Sequence, residues 1–113
     1  MPSPTKLARI DLADLQAATA VLHGRWKTTI LFYLAAEPLR FGALRRAIGT
    51  ISEKVLIQQL RELERDRVVS RHVEATVPPR VEYALTPHGR TLCDVVESMA
   101  GWGRKHRRHL ERA

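Results

Sequence analysis

A chain of 113 residues with 44% hydrophobic and 27% charged side chains has room for one modest core and is too apolar to stay disordered. No apolar run approaches the roughly 18 residues of a membrane span, the opening MPSPTKLARI lacks the apolar centre of a secretory signal, and the expected location is the cytoplasm. A single cysteine, Cys93, excludes an intrachain disulfide and a cysteine-built metal site. Nineteen Lys and Arg against twelve Asp and Glu leave a formal charge of +7, which favours a phosphate polymer as partner. Fifteen of the basic residues are arginine, whose planar fork pairs with phosphate or a guanine edge, although GC-rich codon usage also produces an arginine excess.

Residues 1–10 read as a flexible tail and 11–113 as one domain. Leu12, Leu15, Ala18 and Leu22 recur at helical spacing, and Gly24 then breaks this first helix. Trp26, Ile30, Leu31, Tyr33 and Leu34 mark a broadly buried second helix that stops at Glu37-Pro38, because proline disfavours helix in the residue before it. Phe41, Leu44 and Ile48 give a short third helix closed by Gly49. Ser52 is an N-cap for a fourth helix, whose inner face holds Leu56, Leu60, Leu63 and the aliphatic stem of Arg67, where the helix ends. Two helices joined by so short a turn predict a helix-turn-helix.

Val69–Ala75 and Val81–Thr86 then alternate and are rich in β-branched residues, predicting a hairpin with a stiff Thr76-Val77-Pro78-Pro79-Arg80 tip. Thr86-Pro87 opens a last helix running to about Leu110, roughly 35 Å long. Its stripe of Leu92, Val95, Val96, Met99, Trp102 and His106 is longer than the domain itself needs, so a second copy of the chain is expected to cover part of it. The predicted fold is mainly α with a small β-hairpin wing, in the order α-α-α-α-β-β-α with a long C-terminal dimerisation helix.

At 100° per residue, burying Leu56, Leu60 and Leu63 turns Lys54, Gln58, Arg61 and Arg65 outward, flanked by Ile57 and Glu62. Long donors at this spacing suit a major groove about 12 Å wide, with the helix N-terminus at Ser52 offering N–H donors to a phosphate. Arg40, Arg45 and Arg46 around the third helix and Arg80 at the hairpin tip extend this basic surface toward double-stranded DNA. Glu53 reads as a helix-dipole or capping residue rather than a base contact, and the terminal Arg-Lys-His-Arg-Arg run as dipole complement and solubility.

The segments His-Gly-Arg-Trp-Lys from His23, Arg-Phe-Gly-Ala-Leu from Arg40, Ile-Gly-Thr-Ile-Ser-Glu-Lys-Val-Leu from Ile48, Leu-Arg-Glu-Leu-Glu-Arg-Asp-Arg-Val-Val from Leu60, Pro-Pro-Arg-Val-Glu-Tyr-Ala-Leu-Thr-Pro-His-Gly from Pro78 and Trp102-Gly103 stand in one order. Over about Leu15 to His106 the chain resembles the HxlR family of winged-helix regulators, relatives in fold of the MarR group. The resemblance implies a homodimer through the first and last helices, and DNA contact at Ser52, Lys54, Gln58, Arg61 and Arg80. Many members of that family carry a sensing cysteine shortly before the first helix; Arg-Ile-Asp-Leu-Ala-Asp-Leu here has none. The family also often has glycine where Arg67 stands, so a tighter or less left-handed turn is expected after the fourth helix.

Cys93 reads as a small buried hydrophobe, and His106 with His109 as part of a solvated basic end, since no third metal ligand accompanies them. No nucleophile-base pair, phosphate-cradling glycine loop or paired carboxylates are legible, so neither an enzyme nor a cofactor is expected. Two other readings stay open: a protein-protein module, and tuning of DNA binding by a small aromatic effector near Trp26, Tyr33 and Trp102 at the dimer junction, although those aromatics read first as core.

Overall fold

The Asp11 carboxylate accepts the Ala13 N–H at 2.9 Å and so starts helix α1 (Leu12–Leu22), which ends at an extended His23 just before Gly24 turns the chain with a φ of 96°. The computed structural model describes residues 6–112. Part of the expected flexible stretch, residues 1–5, lies outside the described residues, and Lys6–Arg9 form a 3-10 turn. Then come α2 (Lys27–Ala36), β1 (Leu39–Arg40), α3 (Phe41–Ile48), α4 (Glu53–Arg65), β2 (Val69–Glu74), β3 (Arg80–Leu85), α5 (Pro87–Arg90) and α6 (Leu92–Glu111). The architecture is mainly helical, with a small antiparallel sheet and a long C-terminal helix.

The core gathers around α2. Ile30, Leu31 and Leu34 are buried together with Leu44 of α3, Leu56, Leu60 and Leu63 of α4, and Val69, Tyr83 and Leu85 of the sheet. Burying a side chain of this size contributes about 1.5–3 kcal/mol. Ile51 and Val68, which flank α4, are also buried, so the helix is held at both ends.

Three features depart from the sequence expectation. The wing is a three-stranded sheet in the order β1-β3-β2, because Leu39 and Arg40 pair with Tyr83 and Glu82. A two-residue strand beside Pro38 carries no alternation to recognise and exists only because β3 offers its edge. The last helix is divided at Thr91, whose N–H and hydroxyl both donate to the His88 carbonyl and tighten the turn that ends α5.

The third departure lies after α4. Arg67 takes a φ of 62°, the Val68 N–H reaches back to the Leu63 carbonyl at 3.1 Å, and the Arg67 N–H to the Glu64 carbonyl at 2.9 Å. This is a Schellman ending with arginine in the left-handed position usually given to glycine. The turn is therefore fully left-handed, contrary to the expectation from the missing glycine, and the exposed Arg67 side chain does not line the inner face of α4. The motif is kept because Val68, immediately after it, is 1% exposed and anchored in the core.

The same turn receives the start of α5. Thr86 accepts the Gly89 N–H at 2.9 Å and donates to the Arg67 carbonyl at 2.7 Å. A Cβ on Gly89 would lie 2.0 Å from the Val68 carbonyl oxygen, so only glycine allows this approach.

The helices α1 and α6 contain no buried residue, and Leu12, Phe32 and Trp102 are each about two-thirds exposed. Trp102, one of the aromatics read first as core, lies instead on the uncovered part of the α6 stripe and stacks on His106 at a centroid distance of 4.9 Å. The molecule measures 66 × 35 × 22 Å, with a radius of gyration of 16.9 Å. A compact domain of this length would have about 13 Å.

Because a left-handed non-glycine residue carries roughly 1–2 kcal/mol of strain, Arg67→Gly should leave the fold unchanged. It should raise unfolding stability by about 1 kcal/mol, measured by urea denaturation, after the extra unfolded-state entropy of glycine is offset.

Candidate nucleic-acid interface

The turn between α3 and α4 is fixed before either helix meets a partner. Gly49 closes α3 with a φ of 87°, and its N–H donates to the Arg45 carbonyl at 2.9 Å. Arg45 Nε donates to the Ile51 carbonyl at 3.3 Å, and Ile51 itself is buried. Ser52 Oγ then accepts the Val55 N–H at 3.2 Å and starts α4. Glu53 follows in the first turn, where a carboxylate complements the positive end of the helix dipole.

With Leu56, Leu60 and Leu63 fully buried, α4 has one orientation available, and Lys54, Gln58, Arg61 and Arg65 are all exposed. They share one shallow depression with Glu53, Ile57 and Glu62. The sequence-predicted face is thus assembled as expected, a row of long donors along one side of a helix.

The other predicted residues take up two positions. Arg45 and Arg46 lie on the exposed side of α3; Arg45 is engaged in bracing the turn, while the Arg46 guanidinium lies over Gly42, where an added Cβ would stand 3.2 Å from Nη1. Arg40, at the end of β1, and Arg80, at the start of β3, border a common groove with Phe41, Gly42 and the 76–79 tip. Their register partners are Glu82 and Glu74. The Thr76 hydroxyl donates to the Pro78 carbonyl at 2.8 Å and stiffens the tip.

Sequence reasoning missed Arg71. It is exposed on β2 and lines a cleft with Arg61, Phe41 and Tyr83, adding a cation between α4 and the wing. Strand alternation was the available signal, since Arg71 shares a face with Val69, which points into the core.

Among the described residues one ion pair forms, Lys27 Nζ to Glu62 Oε1 at 3.1 Å. Among the described residues, therefore, no arginine of the α4 face or the wing has a carboxylate within salt-bridge distance. A basic surface without close ion pairs on a rigid helix-turn-helix and sheet can bind a polyanion and address the edges of its bases.

Within one chain the three aromatics lie apart. Tyr33 lines an apolar groove between α2 and α6 with Phe32 and Cys93, Trp26 packs on the core under the Arg25 guanidinium, and Trp102 stands elsewhere on α6. Cys93 is half-buried. Among the described residues no helix is long and apolar enough to cross a membrane.

This fold and surface define a winged helix-turn-helix transcriptional regulator. A family model described as HxlR-like helix-turn-helix matches residues 21–111. The chain belongs to that family and is a regulator rather than an enzyme. It is 43% identical over 102 residues to an uncharacterised HTH-type transcriptional regulator, BH0655, of Halalkalibacterium halodurans, covering 89% of this chain and 90% of that one. The solved structure of the redox regulator HypR in its reduced form is similar, with a TM-score of 0.83, 39% identity, and coverage of 88% of this chain and 99% of that one. A structure assigned to the MarR family, from Enterococcus faecalis V583, aligns with a TM-score of 0.80 at 33% identity over 97% of this chain and all of that one.

Ser52→Ala removes the N-cap of α4 and should lower stability by about 1 kcal/mol. Thermal unfolding followed by circular dichroism measures the loss, and an unchanged melting temperature would contradict the capping role.

Proposed function

We propose that this regulator binds double-stranded DNA sequence-specifically as a homodimer on a pseudo-palindromic operator and acts as a cytoplasmic repressor. The observation that carries this reading is the α4 face. Its long donors are exposed and free of carboxylate partners, while its one paired acid, Glu62, is turned toward the protein. Gln58 and Arg61 address base edges in the major groove, adenine and guanine being their natural partners. Lys54 and Arg65 extend the row at either end, and Ser52 presents the helix N-terminus to a phosphate. Arg46 and Arg40 contact the backbone beside α3, and Arg45 contributes mainly by holding the turn. Arg80 on the wing and Arg71 behind it hold the flanking strand.

The dimer rests on a separate observation. Leu12 and Leu15 of α1 and Val95, Met99, Trp102 and Leu110 of α6 are all exposed, on an elongated molecule. A second copy removes that apolar surface from water and places two α4 helices on successive major grooves. Bound across both half-sites, the dimer covers promoter DNA that a polymerase needs, which is the basis for repression. An apolar small-molecule effector fits the groove between α2 and α6. HypR is described as a redox regulator; here the segment ahead of α1 holds no cysteine and Cys93 lines that groove, so we infer no thiol trigger ahead of α1.

Selection from a random duplex pool should yield an inverted repeat with half-sites about 10 bp apart, bound with steep salt dependence. By fluorescence anisotropy, Gln58→Ala or Arg61→Ala should each cost about 1–3 kcal/mol on the selected duplex and much less on a scrambled one. Equal binding to random duplex, untouched by either change, would refute specific reading. Sedimentation at micromolar concentration should show a dimer that Trp102→Glu converts to monomer; a monomeric wild type would refute the assembly.

A further inference from the structure

Lys27 is the first residue of α2 and is 3% exposed, the one buried charged residue among the described residues. A cation there faces the positive end of its own helix dipole as well as the cost of leaving water, so its position depends on a partner. That partner is 35 residues away. Lys27 Nζ donates to Glu62 Oε1 at 3.1 Å, and the second carboxylate oxygen accepts from Gln59 Nε2 at 3.4 Å. The turn ahead of α2 closes over the same spot, since a Cβ on Gly24 would lie 4.0 Å from Gln59 Oε1. No buried side-chain nitrogen or oxygen among the described residues is left without a partner.

The pair matters because of where Glu62 stands on α4. Its side chain is 28% exposed and borders the same depression as Lys54, Gln58, Arg61 and Arg65. Released from Lys27, the carboxylate has Gln58 four residues before it and Arg65 three residues after it, the spacings at which helix side chains meet. It would compete with DNA for those donors and place a negative charge beside the phosphates.

We propose that Lys27 is a positioning residue for DNA recognition: by holding Glu62 against the N-terminus of α2, it keeps an acid off the reading face and fixes the setting of α4. Lys27 touches no DNA in this arrangement and acts only through Glu62. The inference rests on the proposed reading of the α4 face.

The test compares wild type, Lys27→Met, Lys27→Arg, and Lys27→Met combined with Glu62→Gln. Each is measured by anisotropy at one ionic strength on the duplex selected by wild type and on a scrambled duplex, with a melting curve for each protein. Lys27→Met should lose about tenfold in affinity for the selected duplex, as expected for coupled neighbours, and discriminate less between the two duplexes. Adding Glu62→Gln should recover most of that loss, and Lys27→Arg should stay within about threefold of wild type. Recovery by neutralising the acid is not expected of a lysine that merely stabilises the fold. Where Lys27→Met does not fold, Lys27→Gln, which removes the charge that holds Glu62 while staying polar, is compared in the same way with and without Glu62→Gln, with the same loss and recovery expected.

A folded Lys27→Met that binds and discriminates like wild type, or a folded double variant as weak as the single one, overturns the inference alone. A wild type that does not discriminate between the duplexes overturns it together with the reading on which it rests.

Discussion

The burial of Leu56, Leu60 and Leu63 against α2 is the constraint on which the rest of the structure depends. A helix with three fully enclosed leucines on one side cannot roll, so the opposite side is assigned by geometry to Lys54, Gln58, Arg61 and Arg65. The ends of α4 are pinned as firmly as its middle. Ser52 caps one end beside the buried Ile51, and the Schellman turn at Arg67 delivers Val68 into the core at the other.

This arrangement separates two jobs within a small chain. Core packing is concentrated in α2 to α4 and the sheet, while α1 and α6 carry apolar surface the domain leaves uncovered. Basic side chains are spread over α3, α4 and the wing, and among the described residues none of them forms an ion pair. Unpaired cations repel one another and contribute little to the isolated protein, so their disposition makes physical sense where phosphates supply the counter-charge. The one ion pair among the described residues, Lys27 with Glu62, borders the α4 face.

Similarity to HypR covers 88% of the chain, and similarity to a MarR-family structure 97%. Two features of this chain are local. Arginine occupies a left-handed turn position, and the only cysteine is in α6. The arginine there shows how strongly the neighbouring contacts specify the backbone, since Val68, Thr86 and Gly89 all require the turn to keep its shape.

Much of the fold was legible from local sequence because its causes are local. Ser52 and Thr86 as caps, Gly49 as a stop and the leucine periodicity of α4 act within a few residues, and the outward face of that helix follows from them. Arg71 was legible in principle from strand alternation. What only the tertiary structure decided were contacts between distant segments: β1, which exists because β3 lies beside it; the left-handed Arg67, imposed by the anchoring of Val68; the outward placement of Trp102; and Lys27 with Glu62, which are 35 residues apart. Periodicity reports which side of an element is apolar, whereas the partner that a buried charge or a strand edge meets depends on how the elements pack, and no local pattern encodes that.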